Sequence, residues 1–194
     1  MIKKFLWFIR GIIYKPFLGA FGFLSYIGSP ILILGRRKIF IGNKVRIFPN
    51  ARMESHNDGR IIIGDNTSIA QGIHIISAGE GIVEIKRDTT FSANVFITNI
   101  DHSYQKIGVH ILEQEGVVKN TVIGENCFIG YGAVIQAGTI LGKQCIVGSN
   151  AVVRGIFPDY CVIVGVPAKI IKRYDANTES WRKTNFRGEF INDI

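Results

Sequence analysis

Beyond residue 116, large branched aliphatic residues recur every six positions: Val117, Ile123, Ile129, Ile135, Leu141, Val147 and Val153. The place after several of them is glycine (Gly124, Gly130, Gly142, Gly148), and the fifth place of each hexad is small: Thr121, Cys127, Ala133, Thr139, Cys145 and Ala151. A period of six fits neither a helix, at 3.6, nor an uninterrupted strand, at 2.0. It fits a short strand and a fixed corner, repeated, with one large and one small side chain filling the inside of each side of a prism. The pattern predicts an all-β solenoid in the form of a triangular parallel β-helix.

The first half keeps the beat with interruptions. Ile41, Ile47 and Met53 form one triplet, Ile63, Ile69 and Ile75 a second, and Ile85, Phe91 and Ile97 a third, starting 22 residues apart. Three hexads make 18 residues, so each early coil carries four more, near His56–Gly59 and Ala78–Gly81, at the same corner. The third coil reaches that corner after Ile97, and the beat resumes at Val117 after 14 extra residues instead of four. An extruded loop at about 102–116 is expected, with His102 at its start.

The 194 residues predict one domain: an N-terminal segment 1–40, a β-helix 41–157, and an exit strand with a short C-terminal cap over 158–194. Cys127 and Cys145 occupy inward small places and Cys161 lies in the exit segment, without a CxxC or His-rich setting, so free core thiols are expected. Lys3, Lys4, Phe5, Trp7, Phe8 and Arg10 make the leader basic and aromatic, and residues 16–35 carry no charge. Gly19, Gly22, Gly28 and Pro30 interrupt that run, and no small-x-small cleavage site follows it. The leader is therefore expected to be helical, lying on an anionic membrane surface or capping the solenoid. The net charge of +8 agrees with a membrane surface; the spread of Lys and Arg, without a recognition motif, argues against nucleic acid.

The stretch from Val122 to Gly142 and the ending from Pro158 to Lys172, with Gly165-Val166-Pro167-Ala168-Lys169, resemble the hexapeptide-repeat acetyltransferases over roughly residues 40–173. The branch is similar to the galactoside, maltose, xenobiotic and bacterial polysaccharide O-acetyltransferases. The resemblance implies a left-handed β-helix and direct transfer of acetyl from acetyl-CoA to a sugar hydroxyl, with no metal required. It implies His102 as general base, since a neutral imidazole with a reference pKa near ~6.5 suits proton removal at neutral pH. Asp101 is its expected companion, orienting the imidazole, binding an acceptor hydroxyl, or shaping the turn. Asn99 and Tyr104 are the expected sugar contacts. For acetyl-CoA the resemblance implies Tyr131 and Ser149, on successive coils, along the pantetheine arm. It implies Arg154 and Gly155, where the family often has Thr-Lys, and Lys169 and Lys172 at the nucleotide phosphates. It further implies a homotrimer with sites between subunits, and a sugar, in a lipid-linked saccharide or surface polysaccharide, as acceptor. The enzyme would be cytoplasmic, where acetyl-CoA is available, and peripheral on the inner membrane.

Two rival readings stay open. A γ-carbonic-anhydrase-like enzyme needs three imidazoles around zinc, for which His74, His102 and His110 are the candidates. A non-catalytic scaffold would bind no acetyl-CoA and would be indifferent to His102→Ala.

Overall fold

The protein is described from a computed structural model, in which residues 2–191 are defined. Met1 of the leader and the last three residues of the tail lie outside the described residues. A helix, α1 (Ile2–Tyr14), precedes a prism of three parallel ladders. In one ladder Ile41, Ile63, Ile85 and Ile123 are in register. In the second, Ile47, Ile69, Phe91, Ile129, Val147 and Ile163 stack. The third aligns Ile33, Met53, Ile75, Ile97, Ile135 and Val153. All but Ile33 of these branched and aromatic side chains are essentially sealed from solvent. Each such burial stabilises by roughly 1.5–3 kcal/mol relative to exposure, so the ladders dominate the energetics.

The small fifth places pack inside as expected; Thr121, Ala133, Thr139, Cys145 and Ala151 are fully buried. The three cysteines are free and buried, and the Cys127 and Cys145 thiols each donate to the carbonyl of a neighbouring coil, Gly142 and Pro158 respectively, at 3.2 Å. Tight corners require left-handed backbone, and asparagine takes it repeatedly: Asn50, Asn57, Asn66, Asn94, Asn126 and Asn150 all have φ between 51° and 64°.

Three boundaries differ from the sequence expectation. The solenoid begins at Ala20, inside the leader: Ala20–Phe21, Tyr26–Ile27 and Leu32–Leu34 form a complete first coil beneath Ile39–Ile41, Arg46–Ile47 and Arg52–Ser55. From Ala20 on the uncharged run is thus strand and corner, and among the described residues α1 is the one α-helix. No helix among the described residues is long and apolar enough to cross a membrane. At the insertion, Ile85 registers with Ile123, a step of 38 residues against the 22 between Ile63 and Ile85. Val117 therefore lies outside the prism, and the insertion is 20 residues beyond an 18-residue coil instead of 14. At the other end, Ala168–Asp175 folds back antiparallel on Cys161–Gly165, and Ser180–Lys183 adds to its edge, so the tail extends one face as sheet.

Candidate active site

The insertion leaves the prism as an antiparallel hairpin, Ile100–His102 against Gly116–Val118, with His102 opposite Gly116. Its root is fixed by Asn99, which is fully buried. The Asn99 side chain accepts from the Ala78 amide at 2.8 Å and donates to the Ala78 carbonyl at 3.1 Å. Its own carbonyl accepts from the Lys119 amide at 2.8 Å, which ties both legs of the hairpin to the coil below. Asn99 is thus a clamp: its amide is spent on backbone, and the expectation of a sugar contact there is corrected. Farther out, Gln114 is buried in an otherwise exposed loop. It accepts from the Lys106 amide at 3.1 Å and donates to the carbonyls of Lys106 and Val109 at 3.3 and 3.1 Å. Sequence reading passed over Gln114; a lone glutamine in a loop carries no pattern.

Adjacent strand residues face opposite ways. His102 is exposed, and among the described residues no hydrogen bond or ion pair holds its imidazole. Asp101 turns toward the prism and forms an ion pair with Arg154, from the same edge two coils on, where Gly155 takes φ +119°. The pair corrects two expectations. Asp101 orients the hairpin through Arg154 and makes no contact with the His102 ring, and Arg154 is engaged by Asp101 instead of standing free for phosphate. Tyr104 is exposed beyond His102, with Ile107 and Leu112 forming an apolar tip.

The expected donor-side residues lie elsewhere on the protomer. Tyr131 and Ser149 sit on the next edge, one face of the prism away, both exposed; the Tyr131 hydroxyl accepts from Asn94 Nδ2 at 2.8 Å. Lys169 and Lys172 project from the folded-back strand, opposite Val164 and Val162. One chain therefore gathers Asp101, His102, Arg154 and Gly155 on one edge and Tyr131 and Ser149 on another, with no single cleft uniting them.

A further polar cluster was not foreseen. Glu54, nearly buried on the outer side of one face, accepts from Arg52 Nε at 2.5 Å and contacts His74 Nε2 at 3.0 Å and His56 Nε2 at 3.3 Å. The Arg52 hydrogen bond pulls the Glu54 carboxyl down to about 2, against the cost of burial and with help from the two imidazoles. His110 caps a short turn, its Nδ1 accepting from the Leu112 amide. The imidazoles that a zinc reading requires are thus dispersed, and no group of three His, Cys, Asp or Glu side chains among the described residues is arranged to hold a metal ion.

The prism, its extruded His-bearing hairpin and its folded-back exit strand define a hexapeptide-repeat acyltransferase scaffold. The bacterial transferase hexapeptide pattern (six repeats) matches residues 120–155. The chain is 36% identical over 168 residues to the putative lipopolysaccharide biosynthesis O-acetyl transferase WbbJ of Escherichia coli K12, covering 81% of this chain and 83% of that one. In three dimensions it is similar to AntD, an N-acyltransferase from Bacillus cereus solved with dTDP and 3-hydroxybutyryl-CoA. The TM-score is 0.70 at 18% identity, over 87% of this chain and 90% of that one. It is also similar to the hexapeptide-repeat acetyltransferase VCA0836 of Vibrio cholerae solved with acetyl coenzyme A, with TM-score 0.58 at 18% identity over 86% and 77% of the chains. These likenesses make the prism the left-handed β-helix. The chain belongs to the hexapeptide-repeat acetyltransferase family.

Proposed function

We propose that this protein transfers acetyl from acetyl-CoA to a hydroxyl of a sugar, in a lipid-linked saccharide or surface polysaccharide, with His102 as general base. The observation that carries the reading is the clamped hairpin, which presents on a two-strand stem an imidazole that has no hydrogen-bond or ion-pair partner among the described residues. In the step proposed, a His102 nitrogen takes the hydroxyl proton as the sugar oxygen attacks the thioester carbonyl. The new C–O bond forms, the C–S bond breaks, and the departing CoA thiolate recovers the proton from the imidazolium. A carboxylate is not needed beside the ring; the Asp101–Arg154 pair instead fixes where the strand delivers it.

Tyr131, Ser149, Lys169 and Lys172 serve the donor from a neighbouring subunit of a homotrimer, which accounts for their distance from His102 within one chain. The exposed tip around Ile107 and Leu112 suits such a contact. With acetyl-CoA as donor the reaction would belong in the cytoplasm, and with a lipid-linked acceptor it would belong on the inner face of the membrane. Relatedness to a lipopolysaccharide biosynthesis O-acetyl transferase supports the sugar acceptor.

The test is incubation with acetyl-CoA and a panel of sugars, nucleotide sugars and extracted lipid-linked saccharides, followed by mass analysis. An acetyl group that alkaline hydroxylamine removes is an ester and supports the proposal. A stable amide product, or no transfer to any carbohydrate, contradicts it.

A further inference from the structure

The first 53 residues contain ten Lys and Arg and no Asp or Glu, the first acidic residue being Glu54. The whole chain has 23 basic and 15 acidic residues, so the remaining 141 have 13 and 15 and are slightly acidic. The entire positive excess therefore sits at one end of the prism, on α1 and the first two coils. A solenoid stacks in chain order, so a bias along the sequence becomes a bias along the axis.

At that same end the helix is arranged the wrong way round for a cap facing water. Its inner side packs on the first two coils: Trp7 meets Tyr26 and Phe48 at ring separations of 5.9 and 5.5 Å, Arg10 donates to the Ile27 carbonyl, and Gly11 is buried. Its outer side is Phe5, Leu6, Ile9, Ile12 and Ile13, and all five are exposed. A capping helix of a soluble solenoid carries polar residues there. Phe17, Phe23 and Leu24 continue the apolar surface onto the first coil. Beside it lies a cavity of about 480 Å³ with Phe17, Ile33 and Leu34 on its apolar side and Arg36 and Arg37 at its lip. Lys4, Lys15 and Arg37 are exposed around the stripe.

We propose that this end of the prism docks on an anionic phospholipid bilayer. The helix inserts its outer stripe at the headgroup boundary, and the basic collar engages lipid phosphates. An apolar stripe ringed by exposed cations is complementary to that surface. It is a poor match for a second copy of itself, since exposed cations, Lys4, Lys15 and Arg37 among them, would meet their own kind. Nucleic acid would leave the stripe uncovered. Docked this way, the prism axis stands off the membrane. The coil that carries the His102 hairpin lies three coil spacings, roughly 14 Å, above the first coil. That height selects an acceptor sugar held out from its lipid, not one at the headgroup itself. In the trimer proposed above, cyclic symmetry turns all three helices to the same side, so the docks act together.

The test needs no acetyl-CoA and no acceptor, so its outcome is independent of the catalytic reading. The full chain is floated with phosphatidylcholine vesicles with and without phosphatidylglycerol, at low and high salt. Three proteins are compared: wild type, an Ile9→Glu/Ile13→Glu variant, and a Lys15→Glu/Arg37→Glu variant, each checked for native circular dichroism. Expected is salt-sensitive binding of wild type to the anionic vesicles only. The stripe variant should not bind, and the charge variant should bind roughly 25-fold or more weakly. Absence of wild-type binding, or equal binding to both vesicle types, overturns the proposal. So does a stripe variant that still binds vesicles but loses its oligomeric state, which would make the stripe a contact between subunits.

Discussion

At the scale of single residues, burial and pairing decide what each side chain is free to do. Glu54 is committed to three cationic or imidazole partners, and its folded-state carboxyl lies near 2 against an ordinary value of 4.5. A depressed carboxylate stabilises the fold above the unfolded value and loses that contribution as pH falls toward the folded one. Urea midpoints followed downward from neutral pH should therefore hold to about 4.5 and then decline toward about 2. Glu54→Gln should lose roughly 1–3 kcal/mol at neutral pH and flatten the decline. Equal acid sensitivity in both proteins would show that Glu54 is not the linked group. Asp101 and Asn99 mark the limit of reading residues from sequence. Their types suit an active site, but strand alternation and burial direct one to Arg154 and the other to the Ala78 backbone. His102 was legible as a candidate because it stands at the one long break in the beat, and it is exposed there.

The strands of the prism are two to five residues long and owe their stability to stacking, so corners matter as much as strands. A side chain at Gly124 would place its Cβ 2.1 Å from the Gly142 carbonyl oxygen of the next coil. Gly124→Val should accordingly lower stability by roughly 1–3 kcal/mol, read as a shift in melting temperature without change in acetyl-CoA affinity. An unshifted melt would mean that this corner yields freely. The hairpin offers the opposite case, an element that matters for position more than for stability. Gln114→Ala removes the bonds that brace the tip to Lys106 and Val109. Turnover should fall roughly 10- to 100-fold while the melting temperature barely moves; the reverse pattern would make Gln114 a folding residue.

The hexad beat located the later coils and the corner where the hairpin leaves. It misplaced the hairpin's return, because Val117 keeps the period by coincidence of spacing while pairing with Asp101. It also left the first coil hidden: Phe21, Ile27 and Ile33 are six apart, yet an uncharged run of bilayer length obscured the beat.

The whole molecule sets the hairpin apart from the residues proposed to hold the donor, Tyr131 and Ser149 on another edge and Lys169 and Lys172 on the folded-back strand, a separation invisible to a linear reading. If sites form between subunits, mixed trimers should restore activity that neither parent has. Refolding His102→Ala together with a Lys169→Ala/Lys172→Ala variant should recover a fraction of wild-type turnover. No recovery, with trimers confirmed by sedimentation, would place both functions in one chain. The most direct test of the central claim is a paired measurement on wild type and His102→Ala: acetyl-CoA affinity by calorimetry, and kcat for acetyl transfer to the sugar acceptor. The account predicts unchanged affinity with kcat reduced by roughly 10²- to 10⁴-fold. Undiminished turnover in the variant would contradict it.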